Sequence, residues 1–370
     1  MPDPVRVLCI SSHTGSITNV RPEAEWFIGL QRAGIEMTVM TEQDSVYAER
    51  MRAAGVRVVH LDIRRKYDLR AIRAMRAELR ERRHHVMHLF YNKAVSNGII
   101  ASLGLPVKVV TYRGQTGNIK RHDPTAYLGH LNPRVRKITC VADAVRLDLI
   151  ANGVDPDKVT TIYKGHDLSW YEGIEAESLA SLGVPDGAFA IACVANNRPR
   201  KGVPVLIEAA RYLSSDTALH FLLIGHGMTS DEIRERIAAS PLPDRFHPVG
   251  YRDDVLRLVA ACQGGVLPAT KREGLPKTVI ESMALGLPTV VTRTGGSPEL
   301  IVDGDCGYVV EPNDAQGLAV ALQRLADDPD RARRMGENAR RRLADRFNVE
   351  QGVAAHARLY RELWGEGATA

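Results

Sequence analysis

Runs of β-branched and apolar residues alternate along the chain with segments whose apolar positions recur every three or four residues. The first run, "VRVLCISS" (5–12), is apolar almost throughout, which is the pattern of a strand covered on both faces. A helical pattern follows through "EAEWFIGLQRAG" (23–34). The strand-like "IEMTVMT" (35–41), "VRVVHLD" (56–62), "HVMHLF" (85–90) and "VKVVTYRG" (107–114) are then separated by helical segments around 45–54, over 69–83 and from 93. "ITCVADAVRLDLI" (138–150) reads as a strand running into a helix, and "VTTIYKG" (159–165) as another strand. A polar, glycine-containing stretch, "KGHDLSWYEGIE" (164–175), interrupts the pattern, and the alternation then restarts at "AFAIACVA" (188–195). "LHFLLIG", "FHPVG", "GGVLPAT", "PTVVT" and "GYVVEP" are its further strands, with helices between them and helices filling 314–346 and 349–364.

Strand and helix alternating over short Gly or Pro connections predict an α/β fold, a parallel sheet covered on both faces. At 370 residues the chain exceeds one comfortable core. The reading is therefore two doubly wound, Rossmann-like domains facing across a cleft, over 1–165 and 166–345, with the helix of 346–370 crossing back to the first. Ligands of such sheets bind at the carboxyl ends of the strands, which puts the site in that cleft.

Composition narrows the class. A quarter of the residues are charged and 44% are hydrophobic, as in a soluble globular protein. The five cysteines are odd in number and scattered through apolar runs, so they read as reduced core residues of a cytoplasmic protein, with no zinc or other metal site. No leader and no membrane-length apolar run is expected. The net charge of +5 is concentrated in "RRKYDLRAIRAMRAELRERRHH" (64–85) and "RPRK" (198–201), which suits anionic partners. Within the first cluster, Leu69, Ile72, Met75 and Leu79 form one apolar stripe among arginines. Two readings stay open for it: a surface helix with a solvated basic face, or a peripheral contact with anionic lipid at the inner face of a membrane. Aromatic residues do not interleave with the arginines, so no nucleic-acid partner is expected.

The chemistry gathers in "ATKREGLPKTVIESMALGLPTVV" (269–291). Pro276 stands where a first helical residue belongs, and the amides around Gly274, Leu275 and Lys277 would open a helix N-terminus suited to an anion. Glu273 lies in the loop before that helix and Glu281 one turn inside it, four residues after Lys277. Carboxylates beside an anion site make sense as acceptors for ribose or sugar hydroxyls. The plainer alternative is a solvated loop glutamate and an i,i+4 partner of Lys277. In "VANNRPRKGV" (194–203), Lys201 precedes a glycine and a helix start, where an ammonium suits a diphosphate. Arg198 and Arg200 of the same loop are weaker candidates.

The run from Glu273 to Asp314, with "KG" at 201–202, "GHG" at 225–227 and "GYRDDV" at 250–255, resembles the retaining glycosyltransferases of family 4 with the GT-B fold. The likeness spans nearly the whole chain and is strongest over 190–315. It implies an enzyme that moves a sugar, with retention and without a metal or other cofactor, from a nucleotide-diphosphate sugar donor to a saccharide, lipid-linked or small-molecule acceptor. Carried across by position, Glu281 would bind the ribose and Glu273, with the amides after it, the donor sugar. Lys201 would bind the diphosphate, and Gly15 of "SSHTGS" would let the first domain's loop approach it. Asn196, Arg198 and Arg252 complete the donor set. Asn196 stands where the family commonly has an arginine, and Arg113 of "TYRG" where it commonly has a histidine. An arginine can bind there but cannot act as a base, so Glu273, Lys201 and Arg113 are the catalytic candidates. His88 matches a family histidine loosely and reads equally as a core residue. The excess of basic residues in "RGQTGNIKRHDPTAYLGHLNPRVRK" (113–137) points to an anionic acceptor. The alternatives are a sugar-nucleotide epimerase of the same fold and a degenerate transferase that only binds.

Overall fold

In the computed structural model of this chain, residues 4–12, 17–42 and 45–368 are described, and the chain divides into two compact units. The first comprises residues 1–165 and 347–370, the second 166–346.

In the first unit, β1 (Arg6–Ile10), α1 (Ile17–Arg32), β2 (Glu36–Thr41), α2 (Val46–Ala53), β3 (Arg57–His60), α3 (Leu69–Arg82) and β4 (Val86–Leu89) are followed by α4 (Asn92–Ala101), β5 (Lys108–Arg113), β6 (Val135–Cys140), α5 (Asp143–Ala151) and β7 (Val159–Thr161). The seven strands are parallel and ordered β3-β2-β1-β4-β5-β6-β7. Helices on both faces explain the unbroken apolar runs: Val7, Leu8, Cys9 and Ile10 of β1 are all fully buried. Burying Val7, Leu8 and Ile10 stabilises the unit by roughly 1.5–3 kcal/mol each relative to exposure.

The second unit repeats the plan. It runs β8 (Phe189–Val194), α6 (Val203–Ala209), β9 (Leu219–Ile224), α7 (Asp231–Ala238), β10 (Phe246–Gly250), α8 (Val255–Ala260), β11 (Gly264–Leu267), α9 (Lys277–Ala284), β12 (Thr289–Thr292), α10 (Ser297–Leu300), β13 (Gly307–Val310), α11 (Ala315–Asp327) and α12 (Pro329–Arg346). Its six parallel strands are ordered β10-β9-β8-β11-β12-β13. Both sheets therefore have the doubly wound order, each reversing direction beside its own first strand. The last helix, α13 (Val349–Ala368), belongs to the first unit and lies along α1: the Trp26 and His356 rings are 4.6 Å apart, and Arg361 donates to the carbonyl of Ala33.

Three local expectations are settled by packing. On α3 the apolar stripe is spent on the core, since Ile72, Met75 and Leu79 are buried and only Leu69 is exposed. Arg76 is tied into the fold by bonds to the carbonyls of Ala101 and Leu103, while Arg70, Arg73, Arg80, Arg82 and Arg83 stay exposed. His88 is a core residue, bridging Tyr360 Oη at 2.8 Å and Thr139 Oγ1 at 3.0 Å. The five cysteines are free and buried.

Candidate functional site

A doubly wound sheet opens a crevice where successive connections leave in opposite directions, and in the second unit that point lies between β8 and β11. The two loops that leave there are 195–202 and 268–276, the loops that carry Lys201 and Glu273. They are knitted together by backbone: Thr270 N–H donates to the carbonyl of Arg200 at 2.8 Å. Gly202 has a left-handed φ of 70°, and a Cβ there would stand 1.8 Å from the carbonyl oxygen of Pro268. Any other residue would force the loops apart. Across this contact Lys201 Nζ and Glu273 Oε1 pair at 2.9 Å, joining positions 72 residues apart in sequence.

Glu273 is 5% exposed, so it is no solvated loop residue. Its backbone is clamped from a third loop. Gly295 has φ 51° and no room for a Cβ, which would lie 2.1 Å from the Glu273 carbonyl oxygen, and Gly296 N–H donates to the carbonyl of Gly274 at 2.8 Å. The sequence reading passed over these two glycines. Their signal was the pair itself in "TRTGGSPEL", directly after a strand.

Glu281 is also buried, and it faces Lys277 Nζ at 3.2 Å one turn away. The i,i+4 partner exists, but it does not make an ordinary surface pair. Burial pushes the Glu281 carboxyl above the usual value of 4.5 despite the pull of Lys277. Burial therefore makes the ionised form of this carboxyl costly, and further hydrogen-bond donors would offset that cost. Helix α9 begins one residue later than expected: Pro276 has φ −71° and ψ 117° and acts as the N-cap, with Lys277 first in the helix. The carbonyl of Pro276 accepts the first helical bonds, from Val279 and Ile280, which fixes it outside the helix proper. That first turn follows directly on the loop that carries Glu273.

Other members of the expected set are engaged in the loops. Asn196 is exposed and its Oδ1 accepts from His226 N–H at 3.3 Å, and the His226 ring stacks on Tyr251 at 4.3 Å. Arg198 is exposed at the start of the 199–201 turn. Arg200 donates to the carbonyl of Arg272, so it shapes the loop that presents Glu273. Arg252 forks onto Asp254 at 2.7 and 2.6 Å. Gly15 lies outside the described residues. Three Asp-x-Asp triplets, a spacing that metal-assisted phosphate chemistry could use, make local bonds. Asp155 caps the turn at Asp157, and Asp303 and Asp305 bond Val309 N–H and Asn338. In the third, Asp328 accepts from Arg331 N–H and Asp330 from the Arg333 guanidinium.

Arg113 belongs to the first unit, at the carboxyl end of β5. It is 8% exposed, and burial pulls its guanidinium below the usual 12.5. With His130 it lines a cavity of about 490 Å³ contained in that unit. His130 Nδ1 meets Thr111 Oγ1 at 2.9 Å, and burial beside the Arg113 charge pushes its pKa down to about 3, so it is neutral at ordinary pH. His130 lies within the basic stretch 113–137, but no motif or spacing in the sequence sets it apart from the rest of that stretch.

Comparison with known proteins identifies the family and the fold. Residues 24–165 match a family model described as "Glycosyl transferase 4-like domain", and residues 175–342 one described as "Glycosyl transferases group 1". The chain is 28% identical over 309 residues to the N-acetyl-alpha-D-glucosaminyl L-malate synthase of Bacillus anthracis, covering 80% of this chain and 79% of that protein. It is 27% identical to the UDP-Gal:alpha-D-GlcNAc-diphosphoundecaprenol alpha-1,3-galactosyltransferase of Escherichia coli, over 59% of this chain and only 54% of that protein. Among solved structures, a glycosyltransferase from Rickettsia africae superposes with a TM-score of 0.82 at 18% identity, covering 98% of this chain and 99% of that one. Anabaena HepE in complex with UDP gives 0.77 at 20% identity, over 96% and 99%. The chain belongs to the family 4 glycosyltransferases, transferase enzymes with the two-domain GT-B fold.

Proposed function

We propose that the chain transfers a sugar from a nucleoside-diphosphate sugar to a hydroxyl of a saccharide, lipid-linked or small-molecule acceptor, with retention at the anomeric carbon and without a metal. The observation that carries this reading is the Lys201–Glu273 pair, held across the two loops at the switch point of the second unit and flanked by the start of α9. Breaking a glycosyl phosphate bond leaves negative charge on the diphosphate and positive character on the sugar. An ammonium and a row of amides meet the first need, and fixed cations of this kind do the work that a metal would otherwise do. Glu273, at the lip, accepts from the hydroxyls of the transferred sugar, while Glu281, deeper, accepts from the ribose. Arg113 binds without moving a proton, because a guanidinium cannot serve as a base. The UDP in the HepE structure and the UDP-sugar in the name of the Escherichia coli relative support a donor of this class. We assign the work to the cytoplasmic side.

Glu273→Ala tests the division of labour. In the protein itself Glu273 neutralises Lys201, so its removal leaves an ammonium free for phosphate. Turnover should fall by roughly 100-fold or more, whereas UDP or GDP affinity by calorimetry should hold or tighten. Weaker nucleotide binding with unchanged turnover would reverse the roles of the two glutamates. Release of free sugar from a panel of sugar nucleotides would separate a transferase from a protein that only binds.

The basic face of α3 gives a further expectation. If it meets anionic lipid, each exposed arginine near the surface adds about 1 kcal/mol. Sedimentation with anionic vesicles should then succeed at low salt, fail at high salt, and fail for an Arg73→Glu, Arg80→Glu, Arg83→Glu triple variant. Arg76 is left intact because it holds the fold. Absence of binding to any vesicle would leave α3 as a solvated surface helix.

A further inference from the structure

We infer that the cavity beside Arg113 is an anion subsite that receives a phosphate or carboxylate group of the acceptor, an inference that rests on the transferase reading above. Arg113 is a permanent charge in an almost fully buried place. Such a charge is costly unless something pairs with it. Its Nη2 donates to the carbonyl of Gly117, a neutral partner, and its Nε has none. Among the described residues no carboxylate forms an ion pair with it. Asp148, which biases it electrostatically, spends Oδ2 on Gly117 N–H at 2.8 Å. Asp123, the only carboxylate among the described residues that line the cavity, is taken by Thr125 N–H and Oγ1, both at 2.8 Å.

The rest of the lining has the same sign. Lys66 and Lys93 are exposed and line the cavity with Arg113, giving, among the described residues, three cations against one capped carboxylate. Lys93 donates to the carbonyl of Ile63 at 3.1 Å, which anchors it at the mouth and leaves protons to donate elsewhere. His130 stays neutral, so it offers a hydrogen-bonding group and no further charge. About 490 Å³ is within the range of sites that enclose a small molecule, so a compact anion such as a sugar phosphate or a hydroxy acid fits the space. The donor diphosphate is assigned to Lys201 and the start of α9 in the other unit, which leaves this positive cavity for the other substrate.

The test uses the full chain with inorganic phosphate and with malonate as probes, read by calorimetry and by the Nε–H nuclear resonance of Arg113. Both probes should bind saturably and move that resonance. Arg113→Gln should weaken phosphate binding by about tenfold or more, as expected for a lost charge-assisted bond. Lys93→Ala, at an exposed position, should weaken it by a smaller factor, with the melting temperature of the variant measured alongside. An unmoved Arg113 resonance, or unchanged binding in both variants, overturns the subsite. So does competition between phosphate and UDP, which would make the anion the donor's. Hydrolysis of a sugar nucleotide is measured in parallel: hydrolysis with no anion bound at Arg113 sinks the subsite alone, and anion binding with no donor turned over or bound sinks the transferase reading instead. Transfer assays then offer a soluble sugar phosphate, a hydroxy acid, and a polyprenyl phosphate in vesicles. Transfer that is lost in Arg113→Gln identifies which source supplies the anion; transfer only to neutral acceptors overturns the proposal.

Discussion

Lys201→Ala should lower turnover by roughly 100- to 1,000-fold, the cost of losing one preorganised donor at a developing negative charge. The same change strands Glu273, which is 5% exposed and loses the cation it pairs with. Breaking a fully buried pair costs about 3–5 kcal/mol, and Lys201 is partly solvated, so a loss of stability nearer 2–3 kcal/mol is expected. The structural and chemical effects can be told apart. The double variant Lys201→Ala, Glu273→Gln removes the stranded charge and should regain most of the melting temperature while staying inactive. Turnover within a few-fold of the parent in a folded Lys201→Ala variant would take the diphosphate away from Lys201.

Glu281→Ala should weaken binding of a nucleoside diphosphate by roughly 10- to 150-fold, since a charge-assisted bond to the ribose is worth about 1.5–3 kcal/mol. Calorimetry with UDP and GDP checks it, and unchanged affinity would remove Glu281 from the ribose. The protein without nucleotide should respond in the opposite direction. The folded-state pKa of Glu281 is raised above the ordinary 4.5. The unfolded chain therefore ionises first as pH rises, and the stability this group contributes is full below about 4.5 and is lost as pH climbs through the raised folded value. Glu281→Gln escapes that loss. Its stability relative to the parent should grow with pH above 4.5, as followed by denaturant unfolding at a series of pH values. A constant difference across the series would mean that the carboxyl is not poorly solvated. A group that weakens the fold at neutral pH and strengthens a complex is the signature of a residue kept for binding.

Local pattern carried far in this chain because parallel strands buried on both faces need nearly continuous apolar runs, and "VRVLCISS" or "LHFLLIG" fits little else. The restart after residue 175 gave the second sheet for the same reason. Boundaries were less secure: Pro276 suits either side of a helix start, and the carbonyl that accepts the first helical bond decides which. Glu273, Glu281 and Lys201 could be read as a set because each follows a strand or opens a helix, the places where a doubly wound sheet offers its loops.

Burial was a different matter. The residues 269–291 read equally as a solvated glutamate and a surface i,i+4 pair, and only the packing of three loops shows that both carboxylates are enclosed. The pairing of Lys201 with Glu273 spans 72 residues and depends on β8 lying beside β11, which no local pattern encodes. Gly202 and Gly295 matter because other backbones press on them, and His130 because Arg113 ends the strand beside it. The sequence by itself determined the strands, the helices, the two sheets and which residues stand at their carboxyl ends, since those follow from periodicity and connection length. The tertiary structure alone decided which of those residues lose their water and which charge lies beside which, because solvation and Coulomb energy depend on distances between segments far apart in the chain.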